Sequence, residues 1–182
     1  MIKRQIRNIT IFIILFLISS LHSQGLKSIG LNGGYIVPLE DVKNGYSIEA
    51  RADFGEVLKY LFLFPSVGYK NVVENINEQD FTRTHINFGA YFVGYINSKP
   101  RGLYGGLGIH YHIIQTEKEK QDYLEEEPSI IDETNTKLGL SINFGYLLKF
   151  KKVSIYLEPG YNYIHGGFST LEARLGISYI IK

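Results

Sequence analysis

The sequence predicts an all-β fold of eight antiparallel strands, and two observations support that prediction. From Lys137 to Lys149 every second residue is large and apolar, while the residues between them are mostly Lys, Gly, Ser and Asn. Successive side chains of a strand point to opposite faces, so this segment has one apolar face and one small, polar face. The same alternation returns along most of the chain. An aromatic content of 14% beside a charged content of 20% suits strands better than disorder.

The start of the chain does not alternate and predicts a signal peptide over residues 1–23. Basic residues are followed by the apolar segment Ile9–Ile18 and then by small residues. An uncleaved membrane anchor is disfavoured, because a spanning helix needs roughly 20 apolar residues and this run is about half as long. We expect cleavage between Ser23 and Gln24, which leaves residues 24–182 as one barrel domain.

The alternation of apolar and polar residues predicts eight strands along that domain. Their ranges are 27–37, 45–54, 60–71, 83–96, 103–116, 135–149, 153–164 and 169–181. The apolar face of the fourth strand carries Ile86, Phe88, Ala90, Phe92 and Ile96, and that of the fifth carries Leu103, Leu107, Ile109, Tyr111 and Ile113. The seventh strand carries Val153, Ile155, Leu157, Tyr161 and Tyr163, and the last carries Leu171, Ala173, Leu175, Ile177, Tyr179 and Ile181. No charge falls on the apolar face of any of these four strands.

Which way the apolar face points separates two interpretations. A soluble sandwich or a lipocalin-type barrel gives the same alternation with its apolar side inward. Two features favour an up-and-down transmembrane β-barrel instead. The polar face is rich in glycine rather than in Lys and Glu, and aromatic residues stand near the strand ends on the apolar side. In such a barrel Tyr111, Tyr146, Tyr163 and Tyr179 belong to an aromatic girdle at the headgroups.

The lengths of the connections favour the same interpretation. Short ones are predicted after strands two, four and six, at Gly55–Lys59, Asn97–Gly102 and Phe150–Lys152. Longer ones are predicted after strands one, three and five, at Pro38–Asn44, Val72–Thr82 and Glu117–Thr134. Short periplasmic turns and longer external loops are typical of outer-membrane barrels. An even strand count then puts both termini in the periplasm.

Composition narrows the possible functions. The chain has no cysteine, so we expect neither a disulfide framework nor a lipidated cysteine after the leader. The formal net charge is +1, and no basic cluster lies among aromatic residues, which argues against a nucleic-acid partner.

The end of the chain carries a recognisable pattern. In the segment from Arg174 to Ile181 a polar residue is followed by Gly176 and then by the spaced hydrophobic residues Tyr179 and Ile181. This pattern resembles the C-terminal assembly signal of the small OmpA/OmpX-type outer-membrane barrels, although those chains usually end on an aromatic residue. The resemblance covers essentially all of residues 24–182. It implies a location in the outer membrane of a diderm bacterium, contact with lipid and lipopolysaccharide, and the barrel-assembly machinery as a transient partner.

An eight-stranded barrel encloses a space that side chains just fill. Four acids and four bases are the candidate polar residues of this lumen: Glu49, Arg51, Asp53, Lys70, Lys137, Glu158, Glu172 and Arg174. Their balance predicts a paired network that plugs the barrel, and the alternative is a narrow ion or proton path. If the last hairpin turns near Gly166 and Gly167, Glu158 lies diagonal to Arg174 and within reach of it.

Metal binding and catalysis are both disfavoured. His110 and His112 stand two apart on one strand face, with His85 on the neighbouring strand, and such imidazoles could meet at one metal. Polar filling of the lumen is the simpler interpretation, so we expect no metal and no cofactor. Ser154, Glu158 and His165 do not form the motif of a lipid A deacylase, so we expect no enzyme.

The longest predicted connection, at 117–134, carries an excess of acid that includes Glu125, Glu126 and Glu127. It suits a solvated surface, or recognition outside the cell, or divalent-ion bridging to lipopolysaccharide. The sequence therefore favours a structural or surface-interaction role. A narrow channel or small-solute carrier is the second interpretation, and a lipid-modifying enzyme is the third.

Overall fold

The computed structural model describes residues 25–39, 42–76, 79–97, 99–118, 131–166 and 169–181. The predicted leader at 1–23 lies outside these residues. The strands are β1 (Ser28–Pro38), β2 (Val42–Asp53), β3 (Glu56–Leu58), β4 (Leu61–Ile76), β5 (Gln79–Tyr95), β6 (Gly102–Lys118), β7 (Ile131–Lys149), β8 (Val153–Ile164) and β9 (Ser169–Ile180). Among the described residues no helix has the length and apolar character needed to cross a membrane.

The strands form one antiparallel sheet that closes on itself. Their order is β2-β1-β9-β8-β7-β6-β5-β4-β3, and β2 also pairs with β4. The short β3 continues β2 along the same edge of β4, after a break where Gly55 has a φ of 80°. The two therefore share one of eight strand positions. The predicted eight-stranded, up-and-down antiparallel barrel is confirmed, and the pairing of β2 with β4 closes it.

The barrel has two different ends. At the terminal end β1 begins and β9 finishes, and the backbone N–H of Ile181 donates to the carbonyl of Lys27 at 2.7 Å. The loop end is opposite. The strands β4 to β7 have 16, 17, 17 and 19 residues, against 11 or 12 for β1, β8 and β9. One side of the barrel therefore extends further at the loop end than the other.

Two of the predicted long connections are wrong. β1 runs to Pro38 and β2 starts at Val42, while β4 and β5 stay paired as far as Ile76 and Gln79. Alternation fades in these segments, but backbone pairing continues because it needs no apolar face. The predicted connection at 117–134 also shortens, since β6 and β7 pair out to Lys118 and Ile131. Its remainder, 119–130, lies outside the described residues.

The turn predicted at Gly55–Lys59 is also different, because β3 occupies part of it. The reversal comes later, at Tyr60, which has a positive φ of 68°. The backbone N–H of Tyr60 donates to a carboxylate oxygen of Glu56, which closes this tight turn. The break at Gly55 lets the chain bend before it turns.

The alternation is oriented with its apolar side outward. Representative outward side chains, each about half exposed, are Leu31, Ile48, Phe88, Ile109, Leu140, Leu157 and Leu175. The inward side chains are polar and buried, and they include Asn32, Glu49, Lys70, His85, Asn87, Asn143, Glu172 and Arg174. A soluble barrel with an apolar centre is thereby excluded. The predicted girdle residues Tyr111, Tyr146, Tyr163 and Tyr179 all lie on the outside.

Candidate functional site in the barrel interior

The centre of the lumen is closed by a set of buried side chains that we call the ionic layer. It consists of Glu49, Arg51, Tyr91, Tyr104, Glu158 and Arg174, contributed by β2, β5, β6, β8 and β9. Each member points inward because it stands at one of the alternating positions of its strand that face the lumen. Each is bonded to at least one other member, so the layer spans the barrel from wall to wall.

Arg51 and Glu158 make the most directional contact of the ionic layer. The Nη1 and Nη2 atoms of Arg51 donate to Oε2 and Oε1 of Glu158 at 2.9 and 2.8 Å. The third donor, Nε, reaches Glu49 on the same strand. The guanidinium also stacks over the Tyr91 ring, 3.9 Å from its centroid. A two-pronged, charge-assisted pair of this kind fixes both side chains in position.

Arg174 holds the other side of Glu158. Its Nη2 lies 2.9 Å from Glu158 Oε1 and donates to Asn143 Oδ1 at 2.8 Å. Its Nη1 donates to the hydroxyl of Tyr91 at 2.6 Å, and that hydroxyl donates to Glu49 at 2.8 Å. Tyr104 donates to Glu158 at 2.8 Å. The expected contact between Glu158 and Arg174 is therefore present, but the two are directly opposite in register rather than diagonal.

Glycines on the inner face make room for these large side chains. A Cβ added to Gly34 would lie 2.8 Å from Cγ of Arg174. One added to Gly176 would lie 2.1 Å from the ring of Tyr156, whose hydroxyl accepts from Asn32 at 3.1 Å. The glycine-rich polar face thus reflects a need for space, not for unusual backbone angles.

A second ion pair lies toward the loop end. Lys70 Nζ donates to Glu172 Oε2 at 2.8 Å, and Asn162 donates to the same oxygen at 3.0 Å. Ser47 donates to the other carboxylate oxygen. With this pair, six of the eight candidate lumen residues are brought into buried ion pairs, three acids with three bases. An ion taken out of water needs such partners to be tolerated.

The other two candidates lie elsewhere. Asp53 ends β2 at the terminal mouth, where one carboxylate oxygen accepts from the backbone N–H of Gly55 at 2.7 Å. Lys137 lies near the loop end and donates to the carbonyl of Gly166. Parity put both on the inner face, but each is too close to a barrel end to reach the centre. Sequence reasoning also did not assign Tyr91, Tyr104 and Asn143 to the network, although their inward parity was the available signal.

Three histidines pack beside the ionic layer on β5 and β6. The ring centroids of His85 and His112 are 5.9 Å apart, and those of His110 and His112 are 6.1 Å apart. His110 Nε2 is 3.1 Å from the hydroxyl oxygen of Ser141. Within the described residues, no group of three possible ligands has an arrangement that could hold a metal ion. His85 is paired in register with Lys70 of the second ion pair.

Toward the loop end of the lumen lie four buried aliphatic side chains that we call the apolar cap: Ile36, Val72, Ile114 and Ile164. Their exposed fractions are only 1% to 4%. A void of about 10 Å³ remains beside Lys70, His85 and Thr170, which is scarcely room for one water. At the loop end, therefore, these inward positions hold aliphatic residues, whereas most other inward positions hold polar ones.

The terminal end of the lumen instead holds a cavity of about 370 Å³, which we call the terminal cavity. On the β4–β7 side its wall is largely aromatic and aliphatic, with Phe62, Phe64, Val93, Tyr95, Tyr104 and Leu147. On the side of β1, β8 and β9 its wall carries the small residues Ser28, Gly30, Ser154 and Ser178, with Tyr156 and Ile180 beside them. Arg51 and Glu158 of the ionic layer form its inner end.

The residues proposed as the C-terminal assembly signal divide between the two faces of β9. Arg174 and Gly176 point inward, whereas Tyr179 and Ile181 are outward and about half exposed. The segment thus presents an apolar edge to the outside and a polar one to the lumen.

Solved bacterial outer-membrane proteins share this fold. Neisserial surface protein A superimposes with a TM-score of 0.52 at 14% identity, over 85% of this chain and 95% of that chain. The N-terminal β-barrel domain of Pseudomonas aeruginosa OprF gives 0.54 at 11% identity, over 87% and 100%. A major outer membrane protein from Thermus thermophilus gives 0.53 at 11% identity, over 85% and 99%. The chain therefore has the fold of the small eight-stranded outer-membrane barrels.

No protein-family model and no curated protein matches the chain.

Proposed function

We propose that this protein is an integral outer-membrane barrel of a diderm bacterium with a closed lumen and a structural or surface-interaction role. The observation that supports it most is the pairing of an apolar exterior with an interior blocked by the ionic layer. Export with removal of residues 1–23 and assembly by the barrel-assembly machinery belong to the same proposal, together with contact to lipid and lipopolysaccharide.

The exterior supports membrane residence. Leu140, Ile177 and their counterparts are about half exposed and would face water in a soluble protein. Contiguous apolar surface of this extent is rare on soluble monomers, and hydrocarbon is its natural surrounding. Tyrosines stand toward both ends of this surface, with Tyr146 and Tyr179 near the terminal end and Tyr111 and Tyr163 near the loop end. Such rows suit the two headgroup regions of a bilayer.

The interior supports a closed barrel rather than a channel. An ion entering from the terminal end would meet the Arg51–Glu158 pair, whose atoms are 2.8 Å apart. Beyond this pair lie the Lys70–Glu172 pair and then the apolar cap. Conduction would require several buried ion pairs to separate at once, and each separation is costly in this environment.

The raised side of the barrel supports an interaction role at the loop end. The β6–β7 hairpin continues as a backbone ladder out to Lys118 and Ile131, whereas the pairing of β7 with β8 ends at Gly139 and Ile164. In the sequence the acidic segment 119–130 connects β6 and β7. A hairpin that projects beyond its neighbours can present such a segment to partners outside the cell.

Catalysis is not part of the proposal. The Ser141–His110 contact superficially resembles a nucleophile and base. In the described structure, however, Nδ1 of His110 has no hydrogen-bond partner, so no acid orients the ring. Both side chains are also buried. A substrate would have no access to this hydroxyl.

Planar-bilayer recording on the purified protein tests the closed lumen. We expect no discrete conductance steps from the wild-type barrel, and we expect steps from a Glu158→Ala/Arg174→Ala/Ile36→Ala variant that removes the centre of the ionic layer and part of the apolar cap. Steps from the wild-type protein comparable to those of the variant would contradict the proposal. Cell fractionation with boiled and unboiled gel samples tests membrane residence, because a folded barrel migrates differently until it is boiled.

The surface role is tested separately by replacing 119–130 with an Asn-Gly turn, which suits a tight hairpin. The shortened protein should assemble and keep its heat-modifiable mobility, while whole-cell capture of extracellular ligands should fall. A shortened protein that no longer assembles would make this segment structural instead.

A further inference from the structure

We propose that the terminal cavity is a binding site for a small, uncharged, ring-containing amphiphile. This goes beyond the closed-barrel role above, which requires no ligand. Particular residues create the space, its two walls differ chemically, its charges are balanced, and its entrance lies at the terminal end.

The space arises from a row of small residues. Gly30, Ser154 and Ser178 lie at one register level on β1, β8 and β9, with Ser178 paired to both of the others. The inward positions that follow along β8 are Tyr156 and Glu158, which are large and fill the lumen. An eight-stranded barrel is just wide enough for its side chains to fill, so three small residues side by side leave a void. At about 370 Å³ the void has the size of a small-molecule pocket.

The facing wall is aromatic and held in place. Phe62 meets Tyr95 edge-to-face with centroids 5.2 Å apart, and Tyr95 lies 5.5 Å from Tyr104. The hydroxyl of Tyr104 is anchored on Glu158. A fixed aromatic surface opposite serine residues forms a slot with one apolar and one polar side. A ring with a hydroxyl or amide group on its opposite edge matches both sides.

The charges around the cavity favour an uncharged ligand. Its lining has three bases, Lys27, Arg51 and Lys149, and three acids, Asp53, Glu56 and Glu158. The two deepest, Arg51 and Glu158, already bind each other through two hydrogen bonds. A charged ligand would have to leave water without gaining an unpaired partner at the inner end.

Among the described residues, the ionic layer closes the inner end of the cavity, so its entrance lies at the terminal end. A ligand therefore enters and leaves by the same route, which describes binding rather than transport. In the proposed orientation this entrance faces the periplasm.

The test uses 4-hydroxybenzamide, a water-soluble neutral ring with a hydroxyl and an amide, added to isotope-labelled barrel in lipid nanodiscs. We expect saturable backbone amide shifts confined to residues lining the cavity, with a dissociation constant in the millimolar range or below. The charged analogues 4-hydroxybenzoate and tyramine should bind at least several-fold more weakly. Absence of saturable shifts, or shifts spread over outward residues, would overturn the proposal. Equal binding of the charged analogues would overturn the assigned ligand class.

A matched pair of variants locates the site. Ser154→Leu adds bulk to the small wall and should reduce binding at least tenfold, whereas Thr136→Leu, at an exposed loop-end position, should leave it unchanged. Heat-modifiable mobility reports folding for both. If Ser154→Leu fails to fold, the map of shifts in the wild-type protein decides alone. Binding that survives in folded Ser154→Leu would contradict the proposal. None of these binding results bears on the planar-bilayer recordings, so the closed-barrel role is tested independently of the ligand.

Discussion

The two ends of the lumen are built on the same strands yet differ completely in openness. At the loop end a void of about 10 Å³ remains beside Ile36, Val72 and Ile164, whereas at the terminal end small residues facing aromatic ones border about 370 Å³. Strand number sets the width of the barrel at both ends. The difference shows that inward side chains, not the barrel geometry, decide what can enter. The ionic layer lies between the packed loop end and the terminal cavity.

The largest expected effect comes from removing the carboxylate that holds both arginines. Glu158→Ala leaves Arg51 and Arg174 buried with only part of their partners, so we expect a loss of about 3–5 kcal/mol in the free energy of unfolding. Urea titration in lipid vesicles, read from unboiled gel mobility, measures it. Lys151→Ala, at an exposed charge in the turn between β7 and β8, serves as the control and should change stability little. Equal stability of the two variants would show that the ionic layer is not a structural element.

The cap tests whether the loop end is sealed by packing alone. Ile36→Ala should cost about 2–4 kcal/mol of stability, because it opens a cavity among buried aliphatic side chains. We expect it to produce no conductance in planar bilayers, since the ionic layer remains in place. Discrete conductance from this single variant would mean that the cap, not the ionic layer, is the barrier.

Inner and outer glycines should respond differently to one added methyl group. Gly176→Ala places a Cβ 2.1 Å from the Tyr156 ring and should cost about 1–3 kcal/mol through overpacking. Gly33→Ala is the matched control, because the nearest atom to its Cβ, a backbone oxygen of Ser47, is 3.9 Å away. Parallel urea titrations of the two variants measure the contrast. A similar loss for both would attribute the glycine-rich face to backbone conformation instead of space.

The smallest effect is expected at the loop-end mouth. Lys137→Ala removes a donor to the Gly166 carbonyl from a position outside the ionic layer, so stability should fall by less than about 1 kcal/mol. Lys70→Ala, which breaks the buried pair with Glu172, is the comparison and should cost several times more. Comparable losses would mean that Lys137 belongs functionally to the buried network.

The alternation of apolar and polar residues predicted most of the strands, because it shows which face of a strand each residue occupies. It placed Glu49, Arg51, Glu158 and Arg174 on one face, and the structure brings them together. It could not say how far along the barrel axis each residue lies, which depends on strand tilt and stagger. For that reason Asp53 and Lys137 were grouped with residues that they do not reach.

The connections could not be read in the same way. Beyond Asn71 the pattern loses its period, yet β4 and β5 continue to pair to Ile76 and Gln79. Hydrogen bonding between backbones has no sequence signature of its own, so these hairpin arms were predicted as loops. The terminal cavity was also missed, because Gly30, Ser154 and Ser178 come from distant parts of the chain and become neighbours only through the register of the closed sheet.

The sequence by itself determined the strand count, the faces of the strands and the neutral balance of inward charge, since these follow from a period of two and from residue type. Only the tertiary structure decided which acid meets which base, where the lumen is sealed and where it stays open. The physical reason is that closing the barrel fixes the stagger between strands, and the stagger sets the level at which each inward side chain meets those across the lumen.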